Sequence, residues 1–245
     1  MLWYKSYREL RGLTLAGIAG LSAACVLIVL NQHAMRAHAD EEMSYAAYLW
    51  KSVYNSIGRD IFVILSVILG AGGVLQERAQ GTSGFTLALP VSRRHLVYTR
   101  AAVGYAGVLA IAASPVVVLT LASRWVGEQY PLAQSARFFL LWAGCGAVFY
   151  GVTFALAHRL AGEYLAVLVA IPLLMLYGEV TTLPWLERAT MLNLFGVLHG
   201  EGMSFFDEGR HVIAGPLPWL TLGLFVAMGV ALVSLAARQI EPLDF

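Results

Sequence analysis

Ser83 stands between glycines in Gly81-Thr82-Ser83-Gly84, a short G-x-S-G pattern of the kind that can surround a nucleophilic serine. A serine attacks only when a base lies within hydrogen-bond reach, and inside a membrane it must also be buried. This one falls in a charged stretch with no paired histidine, and so short a pattern recurs by chance. The six histidines, His33, His38, His95, His158, His199 and His211, sit in loops or at the ends of apolar runs. None faces another in mid-span, as a bis-histidine haem requires. Neither H-E-x-x-H, C-x-x-C nor a G-x-x-x-x-G-K-[ST] phosphate loop is present, and Cys25 and Cys145 lie inside apolar runs as small packing residues. The expectation is a chain with no catalytic residue, metal or cofactor of its own, so that any ATP and Mg²⁺ chemistry belongs to a partner.

The elements that would position such residues follow from composition. Of 245 residues, 59% are hydrophobic and 13% charged, and the mean hydropathy is +0.70. That is too apolar for the surface of a soluble domain. A net charge of +1 supplies no global basic field, which argues against nucleic acid as a partner. Nearly charge-free stretches recur at roughly 12–30, 57–76, 101–123, 138–157, 161–178 and 214–237, each long enough to cross a bilayer. A mid-membrane Arg, Lys or Asp costs about 2.5–3.5 kcal/mol on insertion scales, so charges mark the ends of the spans. The runs lack the alternation of barrel strands and must satisfy their amides internally, which makes them helices. The prediction is an all-α membrane protein of about six spans in a single domain over 1–245. The apolar run after Lys5, Arg8 and Arg11 continues through Val26-Leu27-Ile28 and reads as an uncleaved first span.

Basic residues stay in cytoplasmic loops. With both termini inside, Lys5, Arg8, Arg11, Arg78, Arg93, Arg94, Arg100, Arg159 and Arg238 face the cytoplasm, while Asp40, Glu41, Glu42, Asp60, Glu128, Glu179, Glu187, Glu201, Asp207 and Glu208 face outward. Pro172 predicts a kink in the fifth span. The outer segment 179–213 carries Leu183-Pro184-Trp185-Leu186 and Met191-Leu192-Asn193-Leu194-Phe195, which read as short helices lying at or dipping into the outer face.

The stretch 77–100 holds more order than a connector needs. Glu77 and Arg78 are followed by a glycine break, an apolar turn of Phe85, Leu87 and Leu89, a stop at Pro90, and Ser92 placed to cap a helix with a basic first turn. It reads as a short helix parallel to the membrane, with apolar side chains to insert into a soluble partner and charges to set its angle. A topology signal alone would account for Arg93 and Arg94 but not for the whole pattern.

Here the sequence resembles the permease subunits of the type-2 ATP-binding-cassette transporters. The matching positions are Glu77, Gly81, Thr82, Phe85, Leu87, Leu89, Pro90, Val91, Ser92, Arg93 and Arg100, joined to six spans and to an amphipathic N-terminal segment, Leu2-Trp3-Tyr4 with Lys5, Arg8 and Arg11. The resemblance implies a multi-pass permease of the cell (inner) membrane, an exporter, paired with a second permease, identical or homologous, in a lipid bilayer. Two cytoplasmic ATPase subunits would pull on the loop. Glu77, Arg78, Gly81, Thr82, Phe85, Leu87, Leu89, Pro90, Arg93, Arg94 and Arg100 are then the coupling residues. The path would run along the second and fifth spans, with Ser66 and Tyr177 as candidate wall positions. The competing readings are an intramembrane serine-protease-like enzyme using Ser83 and a passive anchor for a cytoplasmic complex.

Overall fold

Amides in hydrocarbon must be satisfied within their own segment, and the chain meets this condition with long helices. A computed structural model describes residues 2–33, 43–79, 92–160, 164–181 and 193–239, with 73–79 and 93 as backbone. In chain order these form α1 (Leu2–Leu30), α2 (Tyr45–Leu49) running into a π turn (Trp50–Tyr54), α3 (Ile57–Ala79), α4 (Arg93–Trp125), α5 (Leu132–Arg159), α6 (Leu165–Thr181), α7 (Leu194–His199), the antiparallel strands β1 (Phe206–Asp207) and β2 (Val212–Ile213), and α8 (Trp219–Gln239).

Among the described residues, five stretches are long and apolar enough to cross a membrane: Leu2–Leu30, Tyr45–Gly72, Arg94–Trp125, Leu132–Arg159 and Trp219–Gln239. The predicted span at 161–178 corresponds to α6, whose 17 residues give about 25 Å of rise, the short limit for a crossing. The N-terminal segment, which resembles an interfacial entry helix, is continuous with the first span in the 29-residue α1. Only Gly12 stands between Arg11 and the apolar run, and a lone glycine is tolerated inside a helix, so one helix carries both.

The central helix is α5, which touches α3, α4, α6, α7, β2 and α8, while α1 packs on α3 and α4. Close approach is bought by small residues. A Cβ on Gly70 would lie 2.7 Å from the Tyr150 carbonyl, and one on Gly229 only 2.6 Å from that of Ala147, so α3 and α8 both press backbone against α5. Pro115 lies inside α4 without breaking it. The proline leaves the Ile111 carbonyl without its usual amide donor, and the Ser114 hydroxyl donates to that carbonyl at 2.9 Å. Leu168, Met175 and Leu176 on α6, with Leu220, Leu224 and Val230 on α8, point outward, a surface suited to lipid.

The start of α1, the end of α3, the start of α4 and the ends of α5 and α8 share one end of the bundle, called basal here. Three contacts fix this: Glu9 of α1 faces Arg100 of α4, Leu10 meets Gly72 of α3, and Arg159 Nε donates to Gln239 Oε1 at 2.9 Å. The opposite, capped end is covered by α2, the π turn, α7 and the hairpin.

Candidate functional site

The basal end carries the sequence-predicted site. Glu77 and Arg78 belong to the last turns of α3, and Arg93, Arg94 and Arg100 to the first turns of α4. The connector is therefore shorter than 77–100, because both flanks are helical. Ser92 caps α4 as its position predicts, its hydroxyl accepting the His95 amide at 3.4 Å. Arg94 is exposed. Gly81, Thr82, Ser83, Phe85, Leu87, Leu89 and Pro90 lie outside the described residues, as do Leu183-Pro184-Trp185-Leu186 and Met191-Leu192.

Arg100 differs from the other basic residues. Its side chain is 9% exposed, and its Nη2 lies 4.0 Å from Glu9 Oε2. Glu9, on α1, also holds Lys5 Nζ at 3.6 Å one helical turn back. One carboxylate thus joins two cations and ties the N-terminal turns of α1 to α4. Glu9 was not singled out from the sequence, since nothing local marks a lone glutamate in a basic helix as the partner of a distant arginine.

The two wall candidates sit on helices that touch, α3 and α6. Ser66 is buried, and its hydroxyl donates to the Phe62 carbonyl of its own helix at 2.8 Å, so it is satisfied locally. Tyr177 is half-buried against the main core.

The capped end holds what the sequence reading passed over. Residues 43–54 fall between the predicted spans at 12–30 and 57–76; they form α2 and the π turn, with Tyr45, Tyr48, Leu49, Trp50, Val53 and Tyr54 buried. Lys51 and the scattered hydroxyls interrupt the apolar run, which hid it from a hydropathy reading. Tyr48 donates its hydroxyl to the Ile28 carbonyl at 2.7 Å, and Tyr45 and Ser123 share a hydrogen bond of 2.7 Å. Trp50 Nε1 donates to the His199 carbonyl at 2.8 Å, and its ring lies 5.1 Å from Phe206 and 4.8 Å from His211. From α5, Gln134 brackets Ile213 by donating to its carbonyl and accepting its amide, both at 3.1 Å, and Arg137 donates to the same carbonyl. The short helix expected near 193–195 exists as α7, but Leu194 is fully buried, with its carbonyl 3.5 Å from Cys145 Sγ. Its apolar side chains turn inward onto α5.

His199 is held neutral here. Burial, and then the Arg59 guanidinium, push its pKa down to about 4. Glu201 Oε2 at 3.9 Å pulls the other way, but the Glu201 amide donates to His199 Nδ1 at 3.1 Å, which requires a lone pair on that nitrogen. Deeper in, Tyr54 stacks on Phe138 at 3.8 Å and meets Trp142 edge-on at 5.7 Å. Around this stack, Tyr54 Oη, Tyr130 Oη, Ser135 Oγ and Trp142 Nε1 are buried without a hydrogen-bond partner of good geometry among the described residues, and the Gln32 amide shares that condition. Burial drives the phenol of Tyr130, in the α4–α5 turn, upward, so it stays a hydroxyl and a donor.

Among the described residues, no three His, Cys, Asp or Glu side chains come close enough to hold a metal. Comparison with protein-family models, with curated proteins and with solved structures finds no match. What sequence and structure together support is a polytopic, largely helical membrane protein with several long apolar helices, compatible with a transport-type function in general.

Proposed function

We propose that this chain is the membrane-spanning permease of an ATP-driven exporter of the type-2 ATP-binding-cassette kind, acting in the cell membrane as a pair with a second permease. Two cytoplasmic ATPase subunits bind ATP and Mg²⁺ and bear on the segment between α3 and α4; this chain has no catalytic role of its own. The observation that carries the reading is the brace at the basal end: α3 and α4 run unbroken to within a few residues of that segment, and Glu9 ties α4 to α1 through Arg100. A force on residues 80–92 then reaches three helices rather than a slack loop.

In this reading Phe85, Leu87 and Leu89 insert into a cleft of the ATPase, with Gly81, Thr82 and Pro90 shaping the turn. Glu77, Arg78, Arg93 and Arg94 make polar contacts at its rim, and Arg100 passes displacement on to α1. The translocation path follows α3 and α6, where Ser66 and Tyr177 sit.

The test is a pull-down of tagged protein from mildly solubilised membranes, comparing wild type with Leu87→Asp at equal insertion. A co-purifying ATP-hydrolysing subunit that is lost with the variant supports the proposal, because an aspartate would be buried unpaired in the cleft. If wild type brings down no such subunit, the permease reading fails. Loss of an intrinsic hydrolytic activity on Ser83→Ala would replace it with the enzyme.

A further inference from the structure

A groove of about 600 Å³ runs between the first half of α1 and the facing side of α4. Trp3, Tyr4 and Tyr7 stand exposed around its mouth. Arg11 lies on its lip and is exposed, and the Arg8 guanidinium sits 5.9 Å from the centre of the Tyr4 ring. Below the mouth the walls turn apolar, with Leu15 and Ile18 on α1 and Val103, Ala106 and Ala110 on α4. The floor is shallow because Gly107 lets the helices close: a Cβ there would lie 2.8 Å from Thr14 Oγ1.

We propose that this groove binds one phospholipid with an anionic headgroup, whether or not the chain works with an ATPase. From Trp3 to Ile18 the α1 wall rises about 22 Å, enough for a headgroup region and most of a leaflet, whose hydrocarbon is about 15 Å deep. The ordering along the wall matches the bilayer profile, with aromatic rings and a cation at the mouth and aliphatic side chains below. Arg11 has no ion pair among the described residues and presents its guanidinium where a lipid phosphate would lie, a geometry that arginine serves with paired donors. Glu9, the nearest acid on α1, turns away to Lys5 and Arg100, which leaves the lip net positive. A second copy of the chain fits less well. A two-fold contact through this groove would bring the same basic lip from each copy toward the other.

The test is native mass spectrometry of the detergent-purified chain titrated with phosphatidylglycerol or with phosphatidylcholine of the same acyl chains. Wild type should retain one phosphatidylglycerol several-fold more tightly than phosphatidylcholine. Arg11→Gln should weaken phosphatidylglycerol about fivefold, the worth of one interfacial cation, and Arg11→Lys should recover most of it. Ala110→Phe fills the groove from an exposed position and should abolish retention of both lipids, with the detergent melting temperature serving as the check on folding. Equal retention of both lipids by wild type and Arg11→Gln would overturn the proposal. So would an Ala110→Phe variant that keeps its lipid but changes oligomeric state, which would make the groove a contact between copies.

Discussion

Glu9 is 10% exposed between two cations, so removing its charge takes a carboxylate away from Arg100 in a low-dielectric site. Glu9→Gln should lower stability by about 3 kcal/mol, while the double change Glu9→Gln with Arg100→Met should recover most of that loss, because breaking a buried pair costs more than replacing it. Thermal melts in detergent check the pair, and a double variant no better than the single one would show that the carboxylate acts through Lys5 instead. Gln32 presents the opposite case. It is fully buried just past α1, and neither amide atom has a partner among the described residues. A buried unmade hydrogen bond costs about 1–3 kcal/mol, so Gln32→Met, similar in volume, should raise stability by about 1 kcal/mol or more. A fall in melting temperature would mean that the amide holds a polar occupant.

Among the elements, the cap formed by α2, the π turn, α7 and the hairpin depends on a neutral His199. Its folded pKa of about 4 lies below the ordinary value near 6.5, so the unfolded state binds more protons between those limits. Stability is therefore complete above pH 6.5 and declines as pH falls toward 4, by up to about 3 kcal/mol. Protection factors over residues 194–213, hydrogen exchange corrected for its intrinsic slowing toward low pH, should be smaller at pH 5 than at pH 7.5. His199→Asn keeps an acceptor for the Glu201 amide and should flatten the dependence. The α5–α8 seam makes a different demand: Gly229→Val would drive a side chain into the Ala147 carbonyl, and overpacking of this kind costs about 1–3 kcal/mol. The spans themselves were legible because charge-free runs are a local property, and so was the Ser92 cap, which needs only a hydroxyl three residues ahead of an amide. The buried segment 43–54 was not, since Lys51 and five polar or phenolic side chains disguise it until the far partners of Tyr45, Tyr48 and Trp50 are known. The Glu9–Arg100 brace and the Gln134 and Arg137 clamp on Ile213 were hidden for the same reason: each joins residues far apart in sequence, and one chain carries no signal of their adjacency.

For the whole molecule, the two ends differ in construction. The capped end is latched by side chains that reach backbone groups from Trp50, Gln134 and Arg137, whereas the basal end relies on the Glu9 brace and contacts such as Arg159 with Gln239. If both termini are cytoplasmic, an impermeant maleimide added outside intact cells should label Lys51→Cys readily and Arg94→Cys only after permeabilisation. Both positions are exposed, and Cys25 and Cys145 are buried and silent. The reverse pattern would invert the orientation. The glycine seam gives this asymmetry a mechanical meaning. Where Gly151 and Ala147 of α5 meet Gly229 of α8, two backbones lie together over a bare turn, with Leu222 against Gly144 on one side of it and Leu232 beside Gly151 on the other. A bare turn held between two such contacts is a point about which packed helices can tilt, while the contacts on either side oppose sliding. The middle of α8, from Val226 to Val233, borders the crevice of about 210 Å³ floored by Ala101, Ala147 and Tyr150, so a small tilt about that turn would change the width of the crevice before it moved the latched end.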